Sequence, residues 1–372
     1  MSEGRFFRRS TAELVPYEPG KPIEEVQREL GLDRVIKLAS NEGPFGPFPA
    51  ALEALERNAN ELNRYPDGGA YALRTRLAEL HDVKFEEVAV GAGADGVVDC
   101  LSQSILDEGD EIVCGWPSFP SYVMDAVKVG AVPVRVPLRD HRYDLDALLA
   151  AVTERTKLVY ICLPNNPTGT TNTRAQLDAY WDQVPDHVLT VVDQAYFEYI
   201  EDPEYPDAIK EYFKAGRRLI VLRTFSKIYG LAGLRVGYGI APTDVVNEVG
   251  KVRRAFDVTS AGQVAALASI GDDRELARRR AECTRERERV VAMLHRAAFD
   301  VAGPAVGNFV YADVGEDCRQ LYDALLREGV IVRPLHAFGA PNAIRVTIGT
   351  SEENTMFAEA LGKVTTTVTY RY

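Results

Sequence analysis

Lys227 is the residue whose chemistry is easiest to define, and it lies in the segment TFSKIYGLAGLR (224–235). The segment follows an apolar run from Leu219 to Arg223, so the lysine is expected at the end of a buried strand. An amine attacks an aldehyde only after losing its proton, which burial or nearby positive charge promotes. Arg235, later in the same segment, is a candidate for that charge and for a phosphate contact. The pattern favours a carbonyl-binding lysine over a solvated surface lysine.

Asp193 is the candidate acidic partner, because it directly follows the apolar run from Val188 to Val192. A buried carboxylate is costly unless a cation or a strong donor satisfies it. A protonated pyridine nitrogen is such a cation, and the pairing keeps the ring electron-withdrawing. The alternative interpretation is a helix N-cap immediately before Gln194.

Further polar and aromatic residues follow other predicted strands. Asn166 in NNPTGT and Tyr196 are candidates to donate to a ring oxygen, although Asn166 also suits a simple turn. Phe119 is a candidate to stack on a ring, with core packing as an equal alternative. Ala94 and Asp95 begin a predicted helix, whose first amides bind phosphate readily. Together these groups match a pyridine ring that carries an aldehyde, a phenolic oxygen and a phosphate.

A dinucleotide-binding loop is the main competing interpretation, because residues 91–96 match G-x-G-x-x-G. That motif requires an acidic residue at the end of the next strand. Glu111 has roughly the right spacing but begins its strand instead of ending it. A nicotinamide-dependent oxidoreductase would also leave Lys227, Asp193 and Asn166 without a role, so the sequence disfavours it.

Metal and nucleic-acid chemistry are also disfavoured. The five histidines have no paired-ligand spacing, so no metal site is expected. The arginines between Arg274 and Arg289 alternate with glutamates, which is typical of a solvated helix with i,i+4 ion pairs. The formal net charge of -12 likewise disfavours nucleic acid as a partner.

The order of predicted elements indicates an α/β fold with a doubly wound, mainly parallel sheet and a smaller α+β domain. Strands alternate with helices as far as about residue 260, and a long charged helix is predicted over residues 275–295. We expect an N-terminal segment (1–45) that packs with the small domain, a large domain (46–260) and a small domain (261–372). The last residues, 365–372, favour a strand or a loose tail.

Composition places the chain among globular proteins of the cytoplasm. Its 372 residues are 46% hydrophobic and 26% charged. The five cysteines are dispersed without a CxxC pair, which is typical of reduced, intracellular proteins. No apolar run approaches the length needed to cross a membrane, so no membrane association is expected.

Several segments resemble the histidinol-phosphate aminotransferases, a family of fold-type I pyridoxal-phosphate enzymes. The resemblance covers nearly the whole chain and rests on YEPGKPIEEVQRELG (17–31), IKLASNEGPFGPFP (36–49), RYPDGGAYALR (64–74), LPNNPTGT, VVDQAYFEY and TFSKIYGLAGLRVGY. The lysine segment alone indicates only the superfamily, whereas PGKP and RYPDG favour this subfamily.

The resemblance implies pyridoxal 5'-phosphate as the cofactor and a role for each matching residue. Lys227 would hold the cofactor as a Schiff base, Asp193 would pair with the pyridine nitrogen, and Phe119 would stack on the ring. The residues implied for the ring oxygen are Asn166 and Tyr196, and those for the phosphate are Ala94, Asp95, Ser226 and Arg235. Tyr65 would reach that phosphate from the partner subunit of a homodimer. Those implied for the substrate are Arg345, Arg333, Tyr17 and Asn41.

The implied reaction is ping-pong transamination between histidinol phosphate and 2-oxoglutarate. An aromatic amino-acid aminotransferase, a phospho-amino-acid decarboxylase on the same scaffold and a non-catalytic relative are the alternatives. The chain departs from the family pattern at Arg253-Arg254, where proline is common, and we expect this pair to reshape the substrate entrance.

Overall fold

The structure is a computed structural model that describes residues 6–12, 14–16 and 20–367. Its strands are β1 (Ile36–Leu38), β2 (Val88–Ala92), β3 (Glu111–Trp116), β4 (Val132–Pro137), β5 (Thr156–Cys162), β6 (Leu189–Asp193), β7 (Leu219–Thr224), β8 (Val236–Ile240), β9 (Asp300–Val301), β10 (Phe309–Asp313), β11 (Val330–Pro334) and β12 (Ala343–Thr347).

The helices alternate with these strands in the first two thirds of the chain. They are α1 (Arg9–Ala12), α2 (Ile23–Leu30), α3 (Pro49–Asn58), α4 (Tyr71–His81), α5 (Gly93–Ile105), α6 (Pro120–Val129), α7 (Leu145–Ala150), α8 (Arg174–Trp181), α9 (Thr243–Val252), α10 (Ser260–Ser269), α11 (Asp273–Arg296), α12 (Cys318–Arg327) and α13 (Ser351–Thr367). None of the helices in the described ranges combines the length and apolar character needed to cross a membrane.

The larger sheet has seven strands in the order β2-β8-β7-β6-β5-β3-β4. The pairs among β3 to β7 are parallel, and only β8 runs antiparallel, to both β2 and β7. Strands β6 and β7 are buried along their whole length, as expected for a parallel sheet covered by helices on both faces. The predicted α/β fold class is confirmed.

The smaller sheet has five strands in the order β1-β11-β12-β10-β9. Strand β1 pairs in parallel with β11, so a segment near the start of the chain completes a sheet built from its end. Helix α10 packs against α3, and its Ala265 and Ala266 belong to the core of the larger sheet. The predicted boundary after residue 260 therefore falls at the start of a helix that packs with the larger unit.

Strand β8 was not predicted, because the glycines in its sequence VGYGI interrupt the apolar run. A Cβ atom on Gly237 would lie 2.1 Å from the backbone nitrogen of Ala94. Glycine is therefore required here, because β8 passes directly beneath the start of α5. The glycines that obscure the strand in the sequence are also the residues that allow β8 to approach the candidate anion site at the start of α5.

Helix α11 confirms the predicted charged helix and corrects its environment. Arg279 and Glu286 are buried, so the expectation of a wholly solvated helix is wrong for these two residues. At the end of the chain, α13 reaches Thr367, where a strand or loose tail was predicted from residue 365. Residues 368–372 lie outside the described residues. All five cysteines are buried free thiols.

Candidate active site

A cavity of about 390 Å³ opens at the carboxyl ends of β5, β6 and β7. This is the edge of an open α/β sheet at which ligands bind. The cavity brings together most of the site residues predicted from the sequence: Asn41, Ala94, Asp95, Phe119, Asn166, Asp193, Tyr196, Ser226, Lys227, Arg235 and Arg345.

Lys227 lies just beyond β7, with its side chain directed into the cavity. Its Nζ donates to the carbonyl oxygen of Ser40 at 3.4 Å and lies 5.5 Å from the centre of the Tyr196 ring. Burial, followed by the positive charge of Arg345, lowers the pKa of Lys227 to about 8. A substantial fraction of the amine is therefore neutral near physiological pH, as a nucleophilic lysine requires.

Asp193 is the last residue of β6, and its carboxylate is held at both oxygens. The hydroxyl of Tyr122 donates to Oδ2 at 2.5 Å, and the backbone nitrogen of Ala195 donates to Oδ1 at 2.9 Å. Burial raises the pKa of Asp193, while these two donors act in the opposite direction. The carboxylate is thus oriented toward the cavity and suited to a cationic partner.

Tyr122 is a functional candidate that the sequence analysis missed. It lies one helical turn after Phe119, whose ring meets the Tyr122 ring edge to face with centres 5.5 Å apart. That i,i+3 spacing places both aromatic residues on the same side of the beginning of α6. This spacing could have predicted Tyr122 from the sequence, because Phe119 was already a candidate site residue.

Asn166 and Arg345 join the two sheets across the cavity. Nη1 of Arg345 donates to Oδ1 of Asn166 at 2.5 Å, and its Nη2 donates to the carbonyl oxygen of Ala39 at 2.7 Å. The amide oxygen of Asn166 thus accepts from Arg345, and its amide nitrogen can donate to a ligand oxygen.

Asn41 holds Tyr196 in place. Its Nδ2 donates to the Tyr196 hydroxyl at 3.0 Å, and the Thr347 hydroxyl donates to its Oδ1 at 3.2 Å. The backbone of Asn41 is left-handed, with φ of 53°, a conformation that asparagine tolerates better than most residues. Asn41 therefore lines the cavity while its side chain orients the Tyr196 hydroxyl.

The far end of the cavity collects groups that bind anions. Helix α5 begins at Gly93, with Ala94 and Asp95 in its first turn. Gly93 has φ of +79°, and a Cβ atom there would lie 2.7 Å from Nη2 of Arg235. Arg235 also donates to Oγ of Ser226 at 3.5 Å. A guanidinium, a hydroxyl and the amides of a helix N-terminus together form a phosphate site.

Arg333 lies beside the cavity lining. It is the direct cross-strand partner of Arg345 in the antiparallel pair of β11 and β12, so both side chains lie on the same face of the sheet. The side chains of Arg333 and Arg345 are buried, at 6% and 4% exposure. Their guanidinium carbons lie 5.5 and 5.7 Å from the centre of the Phe338 ring.

Two other residues singled out from the sequence, Tyr65 and Arg253, do not line the cavity. Tyr65 is 83% exposed and stacks on Phe256 with ring centres 4.7 Å apart, away from the cavity of its own chain. Tyr17 lies outside the described residues. Arg253, which was expected to reshape the substrate entrance, donates to the carbonyl oxygens of Val90 and Gly68. It holds the turn after Tyr65 against β2.

The groups in the cavity fit pyridoxal phosphate. The amine of Lys227 lies in the cavity and suits an aldehyde, the carboxylate of Asp193 suits a pyridinium nitrogen, and the anion-binding groups at the start of α5 suit the phosphate. Phe119 supplies an aromatic face on the same lining.

Comparisons with known proteins agree with this geometry. A family model described as aminotransferase class I and II matches residues 33–361. The chain is 43% identical over 358 residues to a histidinol-phosphate aminotransferase of Moorella thermoacetica, covering 96% of this chain and 92% of the relative. It is 43% identical over 371 residues to that of Akkermansia muciniphila, covering 98% and 100%. Among solved structures, the histidinol-phosphate aminotransferase of Sinorhizobium meliloti in complex with pyridoxal-5'-phosphate superposes with a TM-score of 0.87 and 28% identity, covering 98% and 99%.

Proposed function

The chain belongs to the family of class I and II aminotransferases, and we propose that it moves an amino group between histidinol phosphate and 2-oxoglutarate. It is a pyridoxal-phosphate-dependent aminotransferase. The substrate is the part that we infer. The relatives with 43% identity carry the name of this activity, and the geometry beside the cavity supports it.

The pairing of Arg333 with Arg345 carries the substrate proposal. Both guanidinium groups lie on one face of the smaller sheet, beside the ring of Phe338. A phosphate monoester carries two negative charges and several acceptor oxygens, so it can accept hydrogen bonds from two guanidinium groups at once, which a single carboxylate does less well. The phosphate of histidinol phosphate therefore suits this pair, while the carboxylate of 2-oxoglutarate or glutamate suits Arg345 alone.

The cofactor contacts follow from the cavity lining. Asp193 would pair with the pyridine nitrogen, Asn166 and Tyr196 would donate to the ring oxygen, and Phe119 would cover one face of the ring; all four residues line the cavity. At the phosphate end, Ser226, Arg235 and the first amides of α5 at Ala94 and Asp95 supply the donors. When bound, pyridoxal phosphate accepts the amino group and withdraws electrons from the substrate's Cα.

Lys227 would hold the cofactor through its aldehyde, and its amine would serve as the acid and base for the proton on the substrate's Cα. A pKa of about 8 suits both tasks, since the amine gains and loses a proton near neutrality. Arg333 and Arg345, beside Phe338, would bind the amino donor in one half-reaction and the 2-oxo acid in the other. The result is a ping-pong sequence.

A homodimer with shared sites completes the proposal. Tyr65 is exposed and stacked on Phe256, so it is presented outward from its own chain. We propose that its hydroxyl reaches the cofactor phosphate of the partner subunit. The five free thiols suit a reducing compartment, and we extend the proposal to the cytoplasm.

The deciding assay compares glutamate-dependent turnover of imidazole-acetol phosphate and of phenylpyruvate. We expect kcat/KM to favour the phosphate substrate by about tenfold or more, and Arg333→Met to remove most of that preference. Release of carbon dioxide from a phosphorylated amino acid would indicate the decarboxylase instead. A wide preference for phenylpyruvate would show that the substrate assignment is wrong.

A further inference from the structure

Arg279 of helix α11 binds the main chain next to Lys227. Its Nη1 donates to the carbonyl oxygen of Ile228 at 3.0 Å, and its Nε donates to Oε1 of Glu275 at 2.7 Å. The side chain is buried, and Ile228 is buried as well. A buried guanidinium is retained only where its donors are satisfied, so this contact fixes both partners.

The same guanidinium also contacts the segment that crosses over the lysine loop. Its central carbon lies 4.4 Å from the ring centre of Phe48 and 5.4 Å from that of Phe45. That segment is in close contact with the loop, because a Cβ on Gly43 would lie 2.8 Å from the carbonyl oxygen of Lys227. Arg279 therefore lies where α11, the segment 43–48 and the lysine loop meet.

We propose that Arg279 is a positioning residue that fixes the main chain carrying the amine of Lys227. The inference rests on the proposed role of Lys227 and adds a residue that does not line the cavity. Helix α11 packs against β9, β10 and α13 of the smaller unit. The guanidinium of Arg279 thus links the smaller unit to the main chain beside Lys227. The neighbouring Arg280 adds a second contact from α11, because its Nε donates to the carbonyl oxygen of Glu198 at 2.6 Å.

Arg278 provides a matched control. It donates to the same Glu275 at 2.7 and 2.8 Å and lies 4.7 Å from the centre of the Phe45 ring. Its side chain is exposed, and its further hydrogen bond goes to Glu282. Arg278→Met and Arg279→Met therefore remove the same charge and the same acidic contact, but only Arg279→Met removes the donor to Ile228.

The first measurement is amide hydrogen exchange in the cofactor-free protein, over a peptide that spans residues 225–231. This loop contains backbone hydrogen bonds from Gly230 to Lys227 and from Leu231 to Phe225. We expect exchange there to accelerate about tenfold in Arg279→Met and to stay unchanged in Arg278→Met. Equal acceleration over β5 would mean global destabilisation and would overturn the proposal, as would unchanged exchange over 225–231.

The second measurement is the single-turnover rate with glutamate, expressed per cofactor-loaded site so that unfolded protein does not count. Arg279→Met should react about tenfold more slowly, and Arg279→Lys should recover part of that loss. A rate per loaded site equal to that of the wild type would overturn the positioning role. If Arg279→Met does not fold, Arg279→Lys is decisive in both measurements, and its unchanged exchange and rate would refute the proposal.

The roles of Lys227 and of Arg279 are refuted by different results. Turnover that persists in Lys227→Ala would refute the role of Lys227 in the proposed function. The exchange measurement uses the cofactor-free protein, so its result concerns the contact between Arg279 and the lysine loop whatever reaction the enzyme catalyses.

Discussion

Burial shifts the pKa values of the two residues at the centre of the site in opposite directions. It lowers the pKa of Lys227 and raises that of Asp193, so in both cases it favours the neutral form. The neighbouring groups reinforce the effect of burial on Lys227 and oppose it on Asp193. Arg345 and Arg235 add to the effect of burial on the lysine, whereas Tyr122 and the Ala195 amide stabilise the aspartate anion.

The lysine environment predicts the pH dependence of cofactor uptake. Only the neutral amine reacts, so the rate at which the cofactor-free protein takes up pyridoxal phosphate should rise with pH and level off above about 8. Arg345→Gln removes a positive charge that lowers the Lys227 pKa, so its profile should shift to higher pH. Rapid-mixing absorbance measurements across this range test both points. Superimposable profiles would contradict this account of the lysine.

The hydroxyl of Tyr122 gives a second prediction for a single residue. Tyr122→Phe removes a donor from Asp193 and should lower kcat about tenfold, since hydrogen bonds to charged groups are stronger than neutral ones. Tyr160→Phe is the control, because its ring stacks on that of Tyr122 at 4.3 Å. Steady-state kinetics should show little change in the control. Equal losses in the two variants would show that the effect is not specific to the hydrogen bond to Asp193.

At the scale of elements, the sequence predicts the residues that follow strands and misses those supplied by other elements. Lys227, Asp193 and Asn166 each follow a continuous apolar run, which marks the carboxyl edge of a parallel sheet. Ser40 receives the hydrogen bond from Lys227, yet it follows β1, a strand of three residues. Strand β8 escaped for a different reason, because close backbone approach requires glycines that obscure its periodicity.

Gly237→Ala tests the contact between β8 and α5. The added Cβ would collide with the backbone of Ala94, so the helix start must move away from the phosphate site. We expect a loss of about 2 kcal/mol in the free energy of unfolding together with weaker cofactor binding. Chemical denaturation and cofactor titration measure the two effects.

Gly250→Ala is the matched control for Gly237→Ala. Gly250 lies within α9, and a Cβ atom there would meet nothing within 4 Å. Alanine is the better helix former, so this variant should keep or gain up to about 1 kcal/mol of stability. If Gly237→Ala retained wild-type cofactor affinity, the proposed dependence of the phosphate site on β8 would be wrong.

At the scale of the whole molecule, the site is assembled from both sheets. Asn41 and Thr347 form hydrogen bonds although 306 positions separate them in the sequence. Asn166 and Arg345 meet across 179 positions. Strand periodicity carries no information about such contacts. The sequence predicted Asn166 from its position after a strand and Asn41 and Arg345 through family resemblance, but it did not predict Thr347 and gave no reason for these residues to touch. The pairing of Arg333 with Arg345 depends in the same way on the register of β11 and β12.

The shared site of the proposed dimer predicts complementation between two defective variants. Lys227→Ala lacks the reactive amine, and Tyr65→Ala lacks the residue offered to the partner. In a hybrid dimer, the subunit with Tyr65→Ala keeps its own Lys227 and receives Tyr65 from its partner. Random mixing should therefore restore about a quarter of the wild-type activity at limiting cofactor, because half of the dimers are hybrid and each has one intact site.

Absence of complementation would mean that Tyr65 acts on its own chain or on neither site. The first possibility conflicts with its position, since the side chain is 83% exposed and stacks on Phe256 outside the cavity. Phe256→Ala tests whether the stack on Phe256 helps to present Tyr65 to the partner subunit, because it removes the stack but leaves the tyrosine. If Tyr65 reaches the partner, a mixture of Lys227→Ala/Phe256→Ala with Tyr65→Ala should recover less activity than the mixture that keeps Phe256. Recovery at the same level would show that the stack has no part in presenting Tyr65.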